Sequence, residues 1–223
     1  MNFLRQNWYY MGGVLFLALA AALTVAWNGL GTLPRLLLIS FMALLLHQLE
    51  EYAWPGGFPP VFNLAFQPKP GGSPDCYPLN RRSALFVNVF FAYPFYILPI
   101  LFPSLVWLGL AQVLFGALAQ LIVHGIFINL KLRSFYNPGL FTVVFLHVPI
   151  GLYYIWYVSA NALVQPWMWP VALLTVAAAS VFGVSLPVTR WLLDKDSPYP
   201  FSQKEMARFH VQEKMERLNA KRA

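Results

Sequence analysis

Charged residues are scarce in this chain, and acidic residues are the scarcest. Only 10% of the 223 residues are charged, whereas 59% are hydrophobic. That composition is too apolar for a soluble globular domain and is typical of an integral membrane protein. Five of the eight acidic residues lie in the last thirty positions, so only Glu50, Glu51 and Asp75 remain for the rest of the chain.

The chain has a single cysteine, Cys76. One cysteine excludes an internal disulfide bond and leaves the redox compartment open. The net charge of +7 does not require a nucleic-acid partner, because most charged residues lie outside the apolar runs and an excess of Lys and Arg there is typical of the cytoplasmic side of a polytopic membrane protein. No nucleic-acid-binding motif accompanies them, so we expect no nucleic-acid partner.

Six apolar runs are long enough, or nearly so, to cross a bilayer as helices of about 20 residues. They lie near 8–27, 36–54, 84–102, 104–129, 139–158 and 167–190. Because lipid admits only helices and closed barrels, and these runs are too continuous for barrel strands, we predict an all-α, polytopic membrane helix bundle over 1–193. Residues 194–223 are predicted to form a charged tail helix, opened by a capping box at Ser202 and Glu205.

The basic residues of the loops predict the orientation. One side carries Arg35 alone, and the other carries Arg5, Lys69, Arg81, Arg82, Lys131, Arg133, Arg190 and the tail. Since loops rich in Lys and Arg stay in the cytoplasm, both termini are predicted to be cytoplasmic. The loop 55–82, rich in Pro and Gly, lies on this side and is either a lid over a cytoplasmic entrance or a connector on the lipid headgroups.

Three histidines lie singly in different apolar runs: His47, His124 and His147. Each is seven or eight residues from the predicted cytoplasmic end of its span, roughly 10–12 Å deep at ~1.5 Å per residue. At about 100° per residue, Glu50 and Glu51 project from the same helix face as His47. Ionisable groups at this depth usually mark a function. Three imidazoles and two carboxylates together are a ligand set that transition metals prefer.

Two amides are predicted to support these ligands by hydrogen bonding: Asn88, near the same boundary, and Gln120, one turn before His124. Taken singly, each residue has an ordinary structural explanation. An intramembrane histidine can hold helices together, and a glutamate near a helix end can reach water. Agreement in both depth and helix face favours a functional site over these explanations.

The sequence HQLEEY, with its pattern His47-x-x-Glu50-Glu51, resembles the HXXEE-motif family of small bacterial integral membrane proteins. That family is also associated with later single histidines and a Tyr-x-Pro-Gly element, matched here by residues 136–139. The resemblance covers roughly residues 40–155. It implies a location in the bacterial cytoplasmic (inner) membrane and implies no activity.

A weaker likeness, to sterol isomerases of the emopamil-binding type, rests on the four-residue spacing of His47 and Glu51 in the second span. One additional span and the additional Glu50 distinguish this chain from them. The likeness therefore suggests a mechanism and not a family.

Three functions follow from these residues. The first is a metalloenzyme in which His47, His124, His147 and one or both glutamates bind zinc, or a dinuclear iron or manganese centre. Glu50 or Glu51 would act in hydrolysis or oxidation of a lipid-like substrate. The second is a metal-free isomerase of an isoprenoid or sterol-like lipid, with His47 and Glu51 as acid and base. The third is a non-enzymatic metal or proton carrier, or a structural partner of another membrane protein. The expected partners are membrane lipids and a hydrophobic substrate, and the oligomeric state stays open.

Overall fold

The computed structural model of the chain describes residues 2–66, 72–211, 213–214 and 216. Within these ranges every regular element is helical, and six helices are long and apolar enough to cross a membrane. In chain order the helices are α1 (Asn2–Ala26), α2 (Thr32–Tyr52), the short α3 (Phe58–Phe66), α4 (Arg81–Leu101), α5 (Val106–Leu132), α6 (Leu140–Ala160) and α7 (Met168–Trp191). The prediction of an all-α membrane bundle with six spans is confirmed, and the chain is an integral membrane protein.

The second span, α2, lies at the centre of the bundle. It contacts α1, α4, α5 and α6, and its Leu37 and Leu45 are fully buried. By contrast, apolar side chains on the outside of the bundle face outwards, as Leu152 and Phe182 do at 63% and 60% exposure. Such a surface suits lipid and is unusual for a soluble protein. Because α2 is central, the polar residues near its end are enclosed by the other spans.

Four of the spans contain wide π-helical turns within the described ranges. These turns lie at Phe86–Phe91 in α4, Phe115–Ala119 and Leu121–Ile128 in α5, Val143–His147 in α6, and Ala179–Ser185 and Pro187–Trp191 in α7. Turns of this kind are rare and are frequent at functional sites. Two of them carry His124 and His147.

The loop between α2 and α4 contains α3, which the sequence analysis did not predict. Pro59 and Pro60 stand in its first turn, where a helix tolerates residues without an N–H. The side chain of Asn63 donates to the carbonyls of Pro74 and Leu79 and accepts from the N–H of Leu79. These bonds hold α3 against the second half of the loop. Residues 67–71, with the predicted loop cation Lys69, lie outside the described residues.

The C-terminal tail folds back across the end of the bundle that carries both termini. The capping box of Ser202 and Glu205 is present and opens α8 (Gln203–Met206). A 3₁₀ turn, Arg208–His210, follows it, and Val211 is buried in a cluster with residues of α3 and α5. The described part of the tail is therefore a short helix and a turn; residues 212, 215 and 217–223 of the predicted tail helix lie outside the described residues.

Candidate metal centre

His47, Glu51 and His124 meet inside the bundle, towards the end that carries both termini. Oε1 of Glu51 lies 3.6 Å from Nε2 of His47 and 3.4 Å from Nε2 of His124. The potential ligand atoms of the three residues all lie within 4.8 Å of one another. Each side chain is at most 5% exposed. We call these three residues the His–Glu cluster.

Two helices supply the cluster. His47 and Glu51 are four residues apart on α2, so they lie one above the other on one face. His124 comes from α5, in the π-helical turn Leu121–Ile128. The rings of His47 and His124 meet edge to face, with centroids 5.0 Å apart.

Asn137, in the loop before α6, fixes the orientation of the His124 ring. Its Nδ2 donates to the backbone carbonyl of His124 at 2.7 Å and to Oδ1 of Asn129 at 2.8 Å. Its Oδ1 is therefore the acceptor that lies 2.7 Å from Nδ1 of His124. Since Nδ1 donates this bond, the lone pair of the neutral ring is on Nε2, the atom that faces Glu51.

The backbone carbonyl of Gly139 fixes His47 in the same way. It lies 3.1 Å from Nδ1 of His47, and because a carbonyl only accepts, Nδ1 is the protonated nitrogen. Nε2 of His47 is buried and has no hydrogen-bond partner in the part of the chain that the structure describes. In the neutral form of each ring, the nitrogen that carries the lone pair is therefore the one within 3.6 Å of Oε1 of Glu51.

Both the backbone conformation at position 139 and the side chains around it require glycine. Its φ of +101° lies in a region that side-chain-bearing residues rarely adopt. A Cβ at this position would lie 2.5 Å from Cε1 of His124 and 2.8 Å from Cε1 of His47. The last residue of the Tyr-x-Pro-Gly element thus lets the loop backbone touch both histidine rings.

Glu50 points away from the cluster, to the start of α6. Its Oε1 accepts from the hydroxyl of Tyr136 at 2.7 Å and from the N–H of Phe141 at 3.1 Å. Its Oε2 accepts from the N–H and the hydroxyl of Thr142 at 2.8 and 2.6 Å. Burial and the neighbouring carboxylate raise the pKa of Tyr136 above its ordinary value, so its hydroxyl stays protonated and donates the hydrogen bond to Glu50. Glu50, predicted as a metal ligand and catalytic group, is placed as a link between α2 and α6.

His147 lies beside the cluster, with its ring centroid 5.6 Å from that of His47. Its Nε2 is buried without a hydrogen-bond partner among the described residues, and so is the hydroxyl of Tyr96, whose ring centroid is 6.4 Å away. Gly116 leaves space here, because a Cβ would lie 2.5 Å from Nδ1 of His147. An unpaired buried polar atom costs about 1–3 kcal/mol. His147 therefore calls for a partner that the described protein groups do not supply.

Asn88 and Gln120, predicted to support the ligands, line a cavity instead. The side chain of Asn88 donates to the hydroxyl of Tyr52 at 3.2 Å and accepts from Nε2 of Gln48 at 3.3 Å. Neither amide is hydrogen-bonded to the His–Glu cluster within the described ranges.

The residues that do support the cluster were missed by sequence reasoning. Asn137 and Gly139 belong to the Tyr-x-Pro-Gly element, which carried a family resemblance and no assigned task. Thr142, whose Oγ1 lies 2.9 Å from Nδ1 of His47, had no distinguishing signal. The one available cue was that this element directly precedes the apolar run with His147.

An apolar cavity of about 280 Å³ adjoins the cluster. His47 and Glu51 form a polar part of its wall, and the rest comes from α2 to α5, from α7 and from Leu79 in the loop before α4. The π-helical turns of α4, α5 and α7 all contribute lining residues. The aromatic lining residues other than Tyr52 are Phe58, Phe62, Phe66, Phe91 and Phe115. This volume is close to the lower limit of about 300 Å³ for small-molecule pockets. Because Glu51 lines the wall, a hydrophobic molecule that filled the cavity would contact it.

The helix α3 covers one side of the cluster and the cavity. The ring of Phe58 stacks on that of His124, with centroids 4.8 Å apart and planes inclined by 27°. Val211 of the tail packs in the same apolar group as Phe58. The loop that was predicted as a lid or a connector thus contains a helix that lies on His124.

A family model described as "Protein of unknown function with HXXEE motif" matches residues 38–154, which is more than half of the chain. The matched segment includes the His–Glu cluster, Glu50, His147 and the loop residues that orient the histidines. No curated protein and no solved structure matches the chain. The His–Glu cluster and the residues that orient its histidines therefore lie within the matched segment, and the chain belongs to the HXXEE-motif family.

Proposed function

We propose that this chain is a membrane-embedded metalloenzyme. His47, Glu51 and His124 bind one divalent transition metal, and the adjoining cavity binds a lipid-like or other hydrophobic substrate. The observation that carries the proposal is the position of two buried imidazole Nε2 atoms within 3.6 Å of one buried carboxylate oxygen. Three acceptor atoms this close repel one another unless a cation or a shared proton lies between them.

The distances favour a metal ion over a shared proton. A charge-assisted hydrogen bond between a protonated imidazole and a carboxylate is about 2.7–2.9 Å long. The two distances from Oε1 of Glu51 are longer, at 3.4 and 3.6 Å. Two ligands that are each about 2.1 Å from one tetrahedral ion lie roughly 3.4 Å apart.

The hydrogen bonds on the far side of each histidine also support the proposal. Metal-binding histidines usually donate their second N–H to a carbonyl or carboxylate, which fixes the ring and the lone pair. His47 donates to the Gly139 carbonyl and His124 to the Asn137 amide oxygen. The loop before α6 therefore holds both lone pairs on the side of Glu51.

The ligand set favours a mononuclear centre. Dinuclear carboxylate centres in bundles use several bridging glutamates, and both oxygens of Glu50 are already occupied by hydrogen bonds. Two histidines and one glutamate are the ligands of many catalytic zinc sites, where the metal activates water or polarises a carbonyl. His147, whose Nε2 has no partner among the described residues, is the nearest further candidate ligand.

Loop charges and the family resemblance support a site in the cytoplasmic leaflet of the bacterial cytoplasmic membrane, with both termini in the cytoplasm. The substrate would then enter the cavity from the bilayer or from the cytoplasmic surface. The apolar lining favours a hydrocarbon-like body, and the polar wall formed by His47 and Glu51 sets where the reacting group lies.

Metal analysis of detergent-purified protein tests this function. We expect about one zinc, iron or manganese ion per chain, and loss of that ion in His47→Ala, His124→Ala and Glu51→Gln. His210→Ala is the matched control, because His210 is an exposed histidine of the tail, with its Nδ1 3.2 Å from Oε1 of Glu213. Folded, monodisperse protein that takes up no metal after supplementation would contradict the proposal.

A metal-free isomerase is the second candidate, and one observation favours it. His47 and Glu51 both line the cavity, whereas His124 is not among its lining residues. An imidazole and a carboxylate on one wall are the acid and base that a double-bond shift in an isoprenoid or sterol-like lipid needs. If chelator-treated protein still isomerised its lipid substrate, and if the His124→Ala variant did so too, this function would be established and the metalloenzyme would be excluded.

A further inference from the structure

A second cavity, polar and of about 220 Å³, lies at the end of the bundle that carries both termini. Its walls come from the start of α1, the end of α2, the start of α4 and the tail. Tyr52 is its one residue in common with the apolar cavity. The polar residues that matter for its chemistry are Asn7, Tyr10, Arg81, Lys204, Glu205 and Arg208.

Positive charge is in excess in this cavity, with three basic side chains and one acidic side chain. Glu205 pairs with Arg81 at 2.5 Å and also accepts from the N–H and hydroxyl of Ser202. Arg208 donates Nη1 to the neutral carbonyl of Ala53 at 2.9 Å. No ion pair within the described ranges compensates Arg208 or Lys204. Two cations therefore face the cavity without a counter-charge.

These groups are suited to phosphate. Guanidinium and ammonium groups, with hydroxyl and amide donors beside them, are the side chains that recognise phosphate oxygens. Basic pockets between transmembrane helices at a membrane face bind anionic lipid headgroups. The cavity borders α1, the outermost span by burial at 17%, and Tyr10 on that helix is 52% exposed. The wall of the cavity therefore extends to the outer surface of the bundle, which faces lipid.

We infer that this cavity binds a phosphate group, carried by an anionic lipid headgroup or by a soluble phosphate. The site is distinct from the His–Glu cluster and does not depend on the proposed metalloenzyme function. A phosphate here contacts α1, α4 and the tail together, so its binding joins the tail to the bundle. Since Val211 of the tail packs against α3, the bound phosphate also stabilises the helix that covers His124.

The test uses full-length protein in a neutral detergent, with thermal unfolding and native mass spectrometry as readouts. The probes are a short-chain phosphatidylglycerol, the phosphatidylcholine with the same acyl chains, and inorganic phosphate. The variants are Lys204→Gln and Arg208→Gln. Lys131→Gln is the matched control, because Lys131 is an exposed cation at the same end of the bundle and is not part of the cavity.

We expect phosphatidylglycerol to raise the unfolding temperature and to remain bound at one molecule per chain. Its apparent affinity should fall at least tenfold in Lys204→Gln and Arg208→Gln and stay unchanged in Lys131→Gln. Stabilisation by inorganic phosphate, lost in the same two variants, identifies a soluble phosphate as the ligand. Equal stabilisation by phosphatidylcholine, or an equal loss in Lys131→Gln, overturns the inference.

Arg208→Gln also removes the bond to Ala53 and can destabilise the end of α2. Lys204→Gln keeps the test decisive, because Lys204 is exposed and lies outside the ion pairs of the described residues. Metal content is measured on the same samples. Unchanged metal content in Lys204→Gln separates this site from the His–Glu cluster.

Discussion

Glu50 on α2 accepts both the backbone N–H and the hydroxyl proton of Thr142 on α6, at 2.8 and 2.6 Å. The hydroxyl oxygen of the same threonine lies 2.9 Å from Nδ1 of His47. The carboxylate outside the His–Glu cluster is therefore connected to it through one side chain. The two adjacent glutamates of the motif have separate positions: Glu51 faces the histidines, and Glu50 joins two helices.

Glutamine substitutions should separate these two glutamates. Glu50→Gln removes the charge that strengthens four hydrogen bonds, each worth about 1.5–3 kcal/mol when charge-assisted, so the unfolding temperature should fall while metal binding persists. Glu51→Gln should leave the unfolding temperature of metal-free protein unchanged and abolish stoichiometric metal. Thermal unfolding and metal analysis of both variants check this. The reverse pattern would show that Glu50 is the ligand.

Asn137→Ala should weaken metal binding without removing a ligand. It deletes the acceptor that lies 2.7 Å from Nδ1 of His124, so the ring is no longer held with Nε2 towards Glu51. Loss of such a partner typically costs roughly 10–100-fold in metal affinity. Competition with a chromophoric chelator measures the change. Asn161→Ala is the control, because Asn161 is exposed just after α6 and its side chain donates to the Tyr157 carbonyl. Equal affinities in the two variants would refute the assignment.

Gly139→Ala should be the most damaging small substitution in the loop before α6. The methyl group would lie 2.5 Å from Cε1 of His124, and the left-handed backbone alone costs about 1–2 kcal/mol for a residue with a Cβ. We expect a lower yield of folded protein and loss of metal. Gly29→Ala is the control, since its nearest contact would be 3.6 Å away. Size-exclusion chromatography and metal analysis of both variants would show whether only Gly139 is constrained.

Ala119→Phe should fill the apolar cavity and leave the metal in place. Ala119 lines the cavity in a π-helical turn of α5, whereas the preceding residue, Leu118, is 41% exposed on the outside of the bundle. Binding of a fluorescent hydrophobic probe should weaken at least tenfold in Ala119→Phe and stay unchanged in Leu118→Phe. Unchanged probe binding in both variants would mean that the ligand does not use this cavity.

Cys76 should react slowly with alkylating reagents while the protein is folded. Burial, with a smaller contribution from Asp75, raises the pKa of its thiol to about 11 from an ordinary 9.0. Since only the thiolate reacts, the rate with iodoacetamide at pH 8 should be roughly 100-fold below that of the unfolded chain. Between pH 8 and 10 the folded rate should rise about tenfold per unit, because the thiol is still titrating there. Equal rates in folded and denatured protein would contradict the burial of this thiol.

The spans could be predicted because apolar runs of bilayer length leave no other backbone solution in lipid. The short helix α3 could not be predicted, because Pro59 and Pro60 are residues typical of loops. Their position in a first helical turn depends on the contacts that α3 makes with the rest of the loop. Counting residues from the loop charges assigned similar depths to His47, His124 and His147. It could not show that Nε2 of His147 has no partner within the described residues. Metal binding, orientation and activity stay predictions.

The sequence by itself determined that this protein is a six-span helical bundle, since hydropathy is a local property. The similar depth of His47, His124 and His147 follows from helix rise and stays a prediction. The sequence also held the pattern that identifies the family. The tertiary structure alone decided that Glu51 faces His47 and His124 and that Glu50 binds Thr142. It also decided that residues of the Tyr-x-Pro-Gly element orient both rings. Adjacent residues on a helix project about 100° apart, so which neighbour each one meets depends on the packing of other helices.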